Sequence, residues 1–169
     1  MDILWAGWRS DYVRSAEALD AAGCLFCRLA EADSDEEALV LERTGLAFSV
    51  LNRFPYTSGH LMVAPYRHVA TPKDLAREER LEIWELIARS QRALEAEMSP
   101  AGFNLGANIG KVAGAGVPGH FHLHLVPRWA GDTNFMSTVG GTRVVPEALE
   151  ETWTRIRAAL VALRDPDRR

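Results

Sequence analysis

The most regular alternation of polar and apolar positions in the chain lies between Gly119 and Trp129. Every second residue from 120 to 124 is a histidine, and apolar residues stand between and after them: His120, Phe121, His122, Leu123, His124 and Leu125. A period of two residues is that of a β-strand, so the pattern predicts three imidazoles on one face and a packed apolar face behind them. Alternate residues of a strand lie about 6.5–7 Å apart. This spacing suits three rings acting on different atoms of one extended ligand, such as a phosphate chain.

Four further apolar runs predict short strands, at residues 38–42, 46–51, 60–65 and 103–109. Thr44 and Gly45 separate the first two runs, which predicts a hairpin. The stretch 54–59 contains both a proline and a glycine and is predicted to be a loop. A glycine-rich loop, Gly110–Gly119, leads into the histidine strand.

Two longer stretches have the period of amphipathic helices. The first is predicted to begin at Thr71-Pro72-Lys73-Asp74, where a threonine cap, a proline at the first position and an acid three residues on mark a start. It should run to about Met98, with an apolar face of Leu81, Trp84, Ile87, Leu94 and Met98. Pro146 is predicted to open the last helix, whose apolar face is Leu149, Trp153, Ile156, Leu160 and Leu163.

Short strands close together with helices between them favour an α+β fold with an antiparallel sheet over a parallel, doubly wound one. The expected architecture is therefore a sheet of about five antiparallel strands with two main helices. All 169 residues are predicted to form one domain, with a docking arm at residues 1–22 and a C-terminal helix within residues 142–169. Trp5, Trp8 and Tyr12 are the reason for expecting that the arm docks.

Composition narrows the class of protein. Hydrophobic residues make up 47% and charged residues 25% of the chain, which is typical of a soluble globular domain. The net charge of −4 argues against a general nucleic-acid binder, which would carry a basic surface. No apolar run approaches the roughly 20 residues that span a membrane, and the N-terminus lacks the pattern of a secretory signal. A cytoplasmic location is expected, where two cysteines stay as thiols or bind metal.

The histidine row admits three interpretations. A lone histidine on a strand is most often structural, but three on one face need partners for six ring nitrogens, so burying all of them is costly. A metal site is the main rival, since imidazole is the commonest metal ligand. A catalytic row is the interpretation that the spacing favours.

The second informative motif is Cys24-x-x-Cys27. This spacing serves redox pairs and zinc sites alike, and two unremarkable thiols are the third alternative. The residues around it show no thioredoxin-like pattern, and the segment Gly23–Cys27 is predicted to be a tight knuckle. A structural zinc needs two further ligands, for which His60, His68 and His120 are the candidates.

The glycine-rich loop precedes a strand and does not open a helix, so it is neither a Walker loop nor a dinucleotide fingerprint. Its backbone N–H groups can form an anion-binding nest, and a flexible surface loop is the alternative. Asn52 and Asn108 end predicted strands, where an amide can contact a ribose or a phosphate or simply make a turn. Arg128 closes the histidine strand and is either a phosphate ligand or a surface residue.

The chain resembles members of the histidine triad superfamily, whose signature is His-x-His-x-His followed by two apolar residues. The matching segment is His120-Phe-His122-Leu-His124-Leu-Val, with Pro127-Arg128 continuing the pattern. Other matching segments resemble the bacterial branch related to diadenosine tetraphosphate phosphorylases: Leu4-Trp5-Ala6-x-Trp8-Arg9, Cys24-x-Phe-Cys27, Gly59-His-Leu-Met-Val63, Gly102-Phe-Asn-Leu-Gly106 and Gly131-Asp-Thr-Asn-Phe-Met136.

The resemblance implies a nucleotidyltransferase or hydrolase with a covalent intermediate. The family nucleophile matches His122, which attacks the α-phosphate of a nucleotide, and His124 matches the residue that contacts the phosphate or leaving group. Asn52 and Asn108 match the ribose and phosphate contacts. The backbone N–H groups of Gly116 and Val117 would steady the phosphate oxygens.

The resemblance also implies a metal and a partner. In zinc-containing relatives, including galactose-phosphate uridylyltransferases, the first histidine of the motif binds the metal. The matching ligands here are Cys24, Cys27, His68 and His120, and the zinc would be structural. Family members usually form homodimers, so a homodimer is expected, with a nucleotide as substrate and no nucleic-acid or membrane partner.

Two departures from the family pattern bear on the acceptor. Many hydrolases carry Ser or Gln just before the triad, whereas this chain has Ala115-Gly116. Several transferases have Gln as the third triad residue, whereas this chain keeps His124, which favours hydrolysis. The branch resemblance favours phosphate as acceptor and is the preferred interpretation. The alternatives are a nucleotide or nucleoside phosphoramidate hydrolase that uses water, a transferase for an unusual nucleotide, and a non-catalytic nucleotide-binding regulator.

Overall fold

A five-stranded antiparallel sheet forms the centre of the computed structural model, which describes residues 23–132 and 147–164. Its strands lie in the order β1-β2-β3-β5-β4. Their bounds are β1 Val40–Arg43, β2 Ala47–Leu51, β3 Leu61–Pro65, β4 Gly102–Gly106 and β5 Leu123–Arg128. The predicted α+β class and the antiparallel sheet are confirmed. The predicted arm at residues 1–22 lies outside the described residues, as does Pro146.

Three helices accompany the sheet in the described part of the chain: α1 Leu25–Ala30, α2 Arg77–Met98 and α3 Leu149–Arg164. A Cβ atom built on Gly59 would lie 2.8 Å from both Leu94 and Met98 of α2 and 3.4 Å from Pro127. Pro127 and His124 are three residues apart on β5, so they face opposite sides of the sheet. Helix α2 therefore covers the face opposite His124. None of these helices is long and apolar enough to cross a membrane.

The register of the sheet decides which residues share the histidine face. Met62 of β3 lies opposite His124 of β5 and opposite Val50 of β2. Directly opposed residues of an antiparallel pair point to the same side. Val50, Met62 and His124 therefore form a row across three neighbouring strands.

The long helix begins later than predicted. Pro72–Asp74 forms a separate 3-10 turn, and Leu75 then adopts an extended conformation and is 5% exposed. Helix α2 starts at Arg77, where the Glu79 carboxylate accepts a hydrogen bond of 2.7 Å from the N–H of Ala76. The extended, buried Leu75 separates the 3-10 turn from helix α2. The N-terminus of α2 is capped by Glu79, a residue of its own first turn. The threonine-proline motif therefore predicted the start of the 3-10 turn and not that of the long helix.

The apolar face predicted for α2 is also partly wrong. Leu81 is 61% exposed and Trp84 is 56% exposed. The buried residues of the helix are Glu79, Ile83, Leu86, Ile87, Ser90, Ala93 and Leu94. Small residues let the helix approach the sheet closely on this side, and a pattern based on large apolar residues does not detect them.

Three other boundaries differ from the prediction. Strand β4 ends at Gly106, and β5 begins only at Leu123, so His120 and His122 precede the strand. The segment predicted as a knuckle includes the start of α1, with Cys24 at the N-cap position. In α3, Ile156 and Leu160 are buried as predicted, whereas Leu163 is 38% exposed.

Helix α3 is attached to the outer strand β1 through charged and polar contacts. Trp153 donates its indole N–H to the carbonyl of Val40 at 2.8 Å, and the Arg157 guanidinium contacts Asp35 at 3.1 Å. Glu42, only 4% exposed, pairs with both Arg89 of α2 and Arg164 of α3. The two arginines neutralise the buried Glu42 carboxylate, which would destabilise the fold if it were left without a charged partner.

Candidate active site and metal centre

Four cysteine and histidine side chains meet where α1 approaches the segment before β5. The cluster consists of Cys24, Cys27, His68 and His120, whose ligand atoms all lie within 4.8 Å of one another. The Nδ1 atom of His120 lies 3.3 Å from the Cys24 Sγ and 3.7 Å from the Cys27 Sγ. The Nδ1 atom of His68 lies 3.4 Å from the Cys27 Sγ. The structure thus brings together the four residues predicted as metal ligands.

The three sulfur–nitrogen distances of 3.3, 3.4 and 3.7 Å fit a tetrahedral zinc site. Zinc–sulfur bonds of about 2.3 Å and zinc–nitrogen bonds of about 2.0–2.1 Å place tetrahedral ligand atoms roughly 3.3–3.8 Å apart. The Nε2–H of His120 donates to the carbonyl of Pro65 at 2.9 Å. This contact leaves Nδ1 as the nitrogen with a lone pair, directed at the cysteines, as is usual for metal-binding histidines.

The cysteine pair lies at the start of a helix, which is also where redox-active pairs occur. Burial, and then the contact with Cys24, raises the pKa of the Cys27 thiol. A redox motif depends on a lowered thiol pKa, so this environment does not favour thiolate chemistry by itself. A bound cation would supply the missing stabilisation of the thiolates, and two imidazoles complete its ligand set.

His122 is held in one tautomer by the backbone of the residue two positions before it. Its Nδ1 lies 2.8 Å from the carbonyl oxygen of His120. A carbonyl only accepts, so Nδ1 carries the proton and Nε2 carries the lone pair. His122 is 5% exposed, its ring centroid lies 4.6 Å from that of Phe26, and burial lowers its pKa. The ring is therefore neutral at neutral pH, with its lone pair on Nε2.

His124 is held in the opposite tautomer by His60. The N–H of Tyr56 donates to the Nδ1 of His60 at 3.1 Å, so the proton of a neutral His60 ring is on Nε2. That Nε2 lies 3.0 Å from the Nδ1 of His124, which must accept. The proton of His124 is then on its own Nε2. Burial, and then the nearby His122, lowers the pKa of His124 to about 4.

His60 is a residue for which the sequence analysis considered a zinc-binding role but which it left out of the ligand set. It was one of three candidates for zinc, but it contacts His124 and lies outside the four-ligand cluster. The signal that could have found it is strand pairing, because Leu61, the next residue, lies opposite Leu125. His60, immediately before β3, therefore lies diagonally across the strand pair from His124 of β5.

The three histidines of the row contact two different groups of residues, as the resemblance implied by assigning His120 to the metal. The rings of His122 and His124 are neighbours, with centroids 4.9 Å apart. The ring of His120 faces the cysteines, with its centroid 5.2 Å from that of His68. Because His120 and His122 precede β5, the backbone there does not follow strand geometry, and the first ring serves a different group from the other two.

A cavity of about 130 Å³ lies beside His122. Most of its lining is apolar: Leu25, Phe26, Leu29, Ala38, Leu39, Val50, Leu51, Phe54 and Met62. The predicted contacts Asn52, Gly116 and Val117 also line it. The side-chain oxygen of Asn52 accepts a hydrogen bond from the N–H of Phe54 at 2.9 Å, and its amide nitrogen contacts His60 at 3.3 Å. Part of the hydrogen-bonding capacity of this amide is therefore already used within the protein.

The N–H groups of Gly116 and Val117 make no hydrogen bond within the described part of the chain. Both residues lie at the same cavity as His122, so these donors are available to an anion there.

Two other predicted residues do not line this cavity. Asn108 donates to the carbonyl of Gly114 at 3.3 Å and so braces the glycine-rich loop. Arg128 donates to Asp132 and, at 2.7 Å, to the side-chain oxygen of Asn104. Of the two interpretations of Arg128, the structure favours a surface residue over a phosphate ligand, because its partly exposed guanidinium is paired with the Asp132 carboxylate.

Comparison with known proteins connects this geometry to a family. The model of the HIT domain matches residues 34–131, more than half of the chain. The chain belongs to the HIT family. This confirms the resemblance to the histidine triad superfamily that the motif around His122 implied.

Two curated relatives illustrate the similarity of this HIT-family chain. It is 44% identical over 119 residues to the AP-4-A phosphorylase of Mycobacterium tuberculosis, covering 70% of this chain and 61% of the relative. It is 34% identical over 93 residues to the bis(5'-nucleosyl)-tetraphosphatase (asymmetrical) of Schizosaccharomyces pombe, covering 55% of this chain and 50% of that protein. The chain thus matches about three fifths of the length of the first relative and half of the second.

Among solved structures, the fold is similar to that of a zinc-bound histidine triad family protein from Mycobacterium smegmatis. The TM-score is 0.70 and the sequence identity is 26%, with 86% of this chain and 99% of the other chain covered. The likeness supports the HIT-like fold over most of the chain.

We predict that the His124 ring binds a proton near pH 4, well below the ordinary value of 6.5, because burial disfavours its charged form. Between pH 6.5 and pH 4 the unfolded chain then binds a proton that the folded chain does not. The free energy of unfolding should therefore fall as the pH is lowered through this window.

Proton NMR of the histidine ring signals measures this titration, and urea unfolding at several pH values measures the stability. A His124→Asn variant identifies the signal and controls for acid effects at the other histidines. A ring signal assigned to His124 that titrates near pH 6.5 would contradict the prediction.

Proposed function

We propose that this HIT-family protein is an enzyme that cleaves dinucleoside polyphosphates such as diadenosine tetraphosphate through a covalent nucleotidyl-His122 intermediate, with inorganic phosphate as acceptor. The observation that carries the proposal is the tautomer of His122, whose Nε2 lone pair is free while Nδ1–H is held by the His120 carbonyl. The name of the Mycobacterium tuberculosis relative supports the substrate and the acceptor. Because only part of that relative is matched, the whole activity is a proposal for this chain.

In the first step, the Nε2 of His122 attacks the α-phosphorus, forming a P–N bond while the bond to the leaving phosphate oxygen breaks. His124 carries its proton on Nε2 because His60 occupies its Nδ1, so this N–H donates a hydrogen bond to the leaving oxygen, which departs as a phosphate anion while His124 keeps its proton. In the second step, a phosphate oxygen attacks the same phosphorus and the P–N bond breaks. The nucleoside diphosphate leaves, and His122 returns to its neutral form.

The remaining groups bind and orient the substrate in this proposal. The free N–H donors of Gly116 and Val117 stabilise the equatorial phosphate oxygens. Asn52 uses its second amide hydrogen and second lone pair on the ribose. Asn108 affects phosphate binding indirectly, because its hydrogen bond to the carbonyl of Gly114 holds the glycine-rich loop in place.

We propose that Cys24, Cys27, His68 and His120 hold one structural zinc ion. The distances in the cluster and the zinc-bound Mycobacterium smegmatis neighbour support this assignment. When bound, zinc supplies a rigid cross-link and the positive charge that keeps two thiolates stable. No Lewis-acid role is assigned, because the reacting atoms lie on His122 and His124.

A hydrolase is the second candidate function. His124, in place of the Gln of several transferases, favours water as acceptor, and the Schizosaccharomyces pombe relative is named a tetraphosphatase. A non-catalytic regulator is less well supported, since it would not need a neutral, oriented imidazole at the cavity. Net charge −4 and the cysteine-rich metal cluster support a cytoplasmic location without a nucleic-acid partner.

Product analysis with diadenosine tetraphosphate tests the function. Incubation with inorganic phosphate should give ADP and ATP, whereas incubation without phosphate should give little turnover. The His122→Ala variant should lose at least about 1,000-fold of the activity, as expected for a covalent nucleophile, and urea unfolding should show that it still folds. AMP formed equally well without phosphate would establish the hydrolase, and an active His122→Ala variant would refute the covalent mechanism.

Elemental analysis tests the metal site. We expect about one zinc per chain, and the Cys24→Ser and His68→Gln variants should lose the metal and unfold at lower urea concentration. His60→Gln is the matched control, because His60 is a buried histidine that lies outside the cluster. Retention of zinc by His68→Gln together with its loss from His60→Gln would reverse the assignment.

We also propose a homodimer in which β4 pairs with β4 of a second copy. Strand β4 lies at the edge of the sheet, and Leu105 and Ile109 beside it are 42% and 46% exposed. An open apolar edge strand favours pairing with another strand. Sedimentation should show two chains for the wild type and one for Leu105→Glu, while Leu81→Glu on α2 serves as control. A monomeric wild type, or a dimer disrupted only by Leu81→Glu, would contradict this interface.

A further inference from the structure

The two cysteines of the candidate metal cluster are open to chemical modification. Cys24 and Cys27 are half-buried and His68 is exposed, whereas His120 is only 1% exposed. Small solutes therefore reach the cluster from the side of His68 and the cysteines, and not from the side of His120. The whole chain has two cysteines, so an intramolecular disulfide has one possible pairing.

The backbone between the two cysteines has a geometry that permits a disulfide. Cys24 is the N-cap residue of α1, and Cys27 lies three residues further on. The N–H of Arg28 donates to the carbonyl of Cys24 at 3.2 Å, so these residues form one helical turn. Cα atoms three residues apart in a helix are about 5 Å apart, within the range of roughly 4.4–6.8 Å that a disulfide bridges. The two sulfur atoms themselves lie within 4.8 Å of each other.

Oxidation of this pair by hydrogen peroxide needs no other reactant than protons from solvent. The reactive form of a cysteine is the thiolate, which a metal ion requires of its cysteine ligands. One thiolate attacks the peroxide, the O–O bond breaks, and a sulfenic acid and a hydroxide form. The second thiolate attacks the sulfenic sulfur, so that the S–S bond forms and a second hydroxide leaves. The two sulfurs lose two electrons, the peroxide gains them, and two protons convert the hydroxides to water.

A disulfide would remove both anionic ligands from the cluster. Two imidazoles would remain, and they are neutral ligands that form half of a four-coordinate zinc site. The Nδ1 atom of His120 lies 3.3 Å from the Cys24 sulfur and 3.7 Å from the Cys27 sulfur. A disulfide sulfur has no hydrogen to donate, and a buried acceptor without a partner is unfavourable. Oxidation therefore favours a different position of the buried His120 ring.

Two contacts connect such a change to His122. The backbone carbonyl of His120 accepts the Nδ1–H of His122 at 2.8 Å. Phe26, which lies between the two cysteines on α1 and is fully buried, has its ring centroid 5.2 Å from that of His120 and 4.6 Å from that of His122. A shift of His120 or of the first turn of α1 therefore alters the hydrogen bond that leaves the lone pair on the Nε2 of His122.

We propose that Cys24 and Cys27 are an oxidation site, at which hydrogen peroxide forms a reversible disulfide and thereby disturbs the orientation of His122. A dithiol restores the two thiols by disulfide exchange. The inference goes beyond the proposed reaction, because it concerns the chemistry of the cysteines and does not depend on which nucleotide is cleaved. The proposed zinc site is the reduced state of this pair.

Mass spectrometry and a zinc-sensitive dye test the oxidation. Hydrogen peroxide should lower the mass of the purified, zinc-containing wild type by about 2 Da, because two thiols become one disulfide. It should also release about one zinc ion per chain, and dithiothreitol with added zinc should reverse both changes. The Cys27→Ser variant has a single cysteine and should show no such loss of mass. Two thiols that survive the treatment, or a gain in mass from sulfinic acid in place of the disulfide, would overturn the proposal.

Proton NMR tests the connection to His122. The Nδ1–H of His122 should give a hydrogen-bonded ring signal in the reduced wild type that is absent from His122→Ala. Oxidation should shift or remove this signal. The indole N–H of Trp153, which donates to the carbonyl of Val40 at 2.8 Å, is the control, and its signal should stay in place because the fold persists. A disulfide that forms while the His122 signal is unchanged would refute the connection.

Activity measurements separate this inference from the proposed function. Cleavage of diadenosine tetraphosphate should fall at least about tenfold on oxidation, a typical effect of disturbing the contacts around a metal site, and should return with dithiothreitol and zinc. Met62 at the cavity can also be oxidised, but its sulfoxide is restored by dedicated reductases. A loss of activity that dithiothreitol does not reverse, or full activity of the disulfide form, would therefore contradict the proposal.

A protein that does not cleave the dinucleotide leaves the mass and NMR measurements in force. A reversible disulfide together with a changed His122 signal then supports the oxidation site, and only the proposed reaction fails. The same two results in a protein that contains no zinc support the oxidation site and refute the zinc assignment. Normal cleavage of the dinucleotide without disulfide formation leaves the reaction standing and refutes the oxidation site.

Discussion

One hydrogen bond connects the two functions of the histidine segment: the Nδ1–H of His122 to the carbonyl oxygen of His120, at 2.8 Å. The side chain of His120 belongs to the cysteine–histidine cluster, while its backbone carbonyl orients the candidate nucleophile. The Nε2–H of His120 is in turn tied to Pro65 at the end of β3. Any movement of His120 therefore changes both the geometry of the candidate metal-ligand cluster and the direction of the His122 ring.

The tautomers of the histidines are determined by backbone groups that can act only as a hydrogen-bond donor or only as an acceptor. Backbone carbonyls accept from His120 and His122, and a backbone N–H donates to His60. Neutral imidazole has one donor and one acceptor, so each contact decides the chemistry of the opposite nitrogen. Burial lowers the pKa of His122 and His124 and keeps both rings in this neutral form. In the proposed mechanism, these adjacent rings serve as a nucleophile and a hydrogen-bond donor.

The cavity and the sheet register complete the site. Pairing of Met62 with His124 places an apolar strand beside the histidine, and Phe26 of α1 packs against the ring of His122. Cys24 is the N-cap residue of helix α1, so the helix that lines the cavity also contributes cysteines to the candidate metal cluster. The candidate metal ligands and the cavity beside His122 therefore lie next to each other, on either side of helix α1 and the segment before β5.

The sequence by itself determined the features that depend on local spacing and residue chemistry. Alternating histidines and apolar residues identified the functional segment and the family, and the antiparallel α+β class followed from the short strands. The four residues of the metal cluster were named through the resemblance, and the structure brings them together. Local patterns suffice here because these choices depend on which residue types occur and how far apart they are.

Only the tertiary structure decided features that depend on contacts between distant segments. His60 lies 64 positions from His124, and its role appears only when β3 pairs with β5. Burial of Leu75 and the close approach of Ser90 and Ala93 to the sheet determined where α2 begins and which face it buries. The division of the histidine row likewise required the cysteines of α1, some 93–96 positions away. A local sequence pattern is compatible with several arrangements of these residues, and packing and hydrogen bonds between distant segments determine which of them forms.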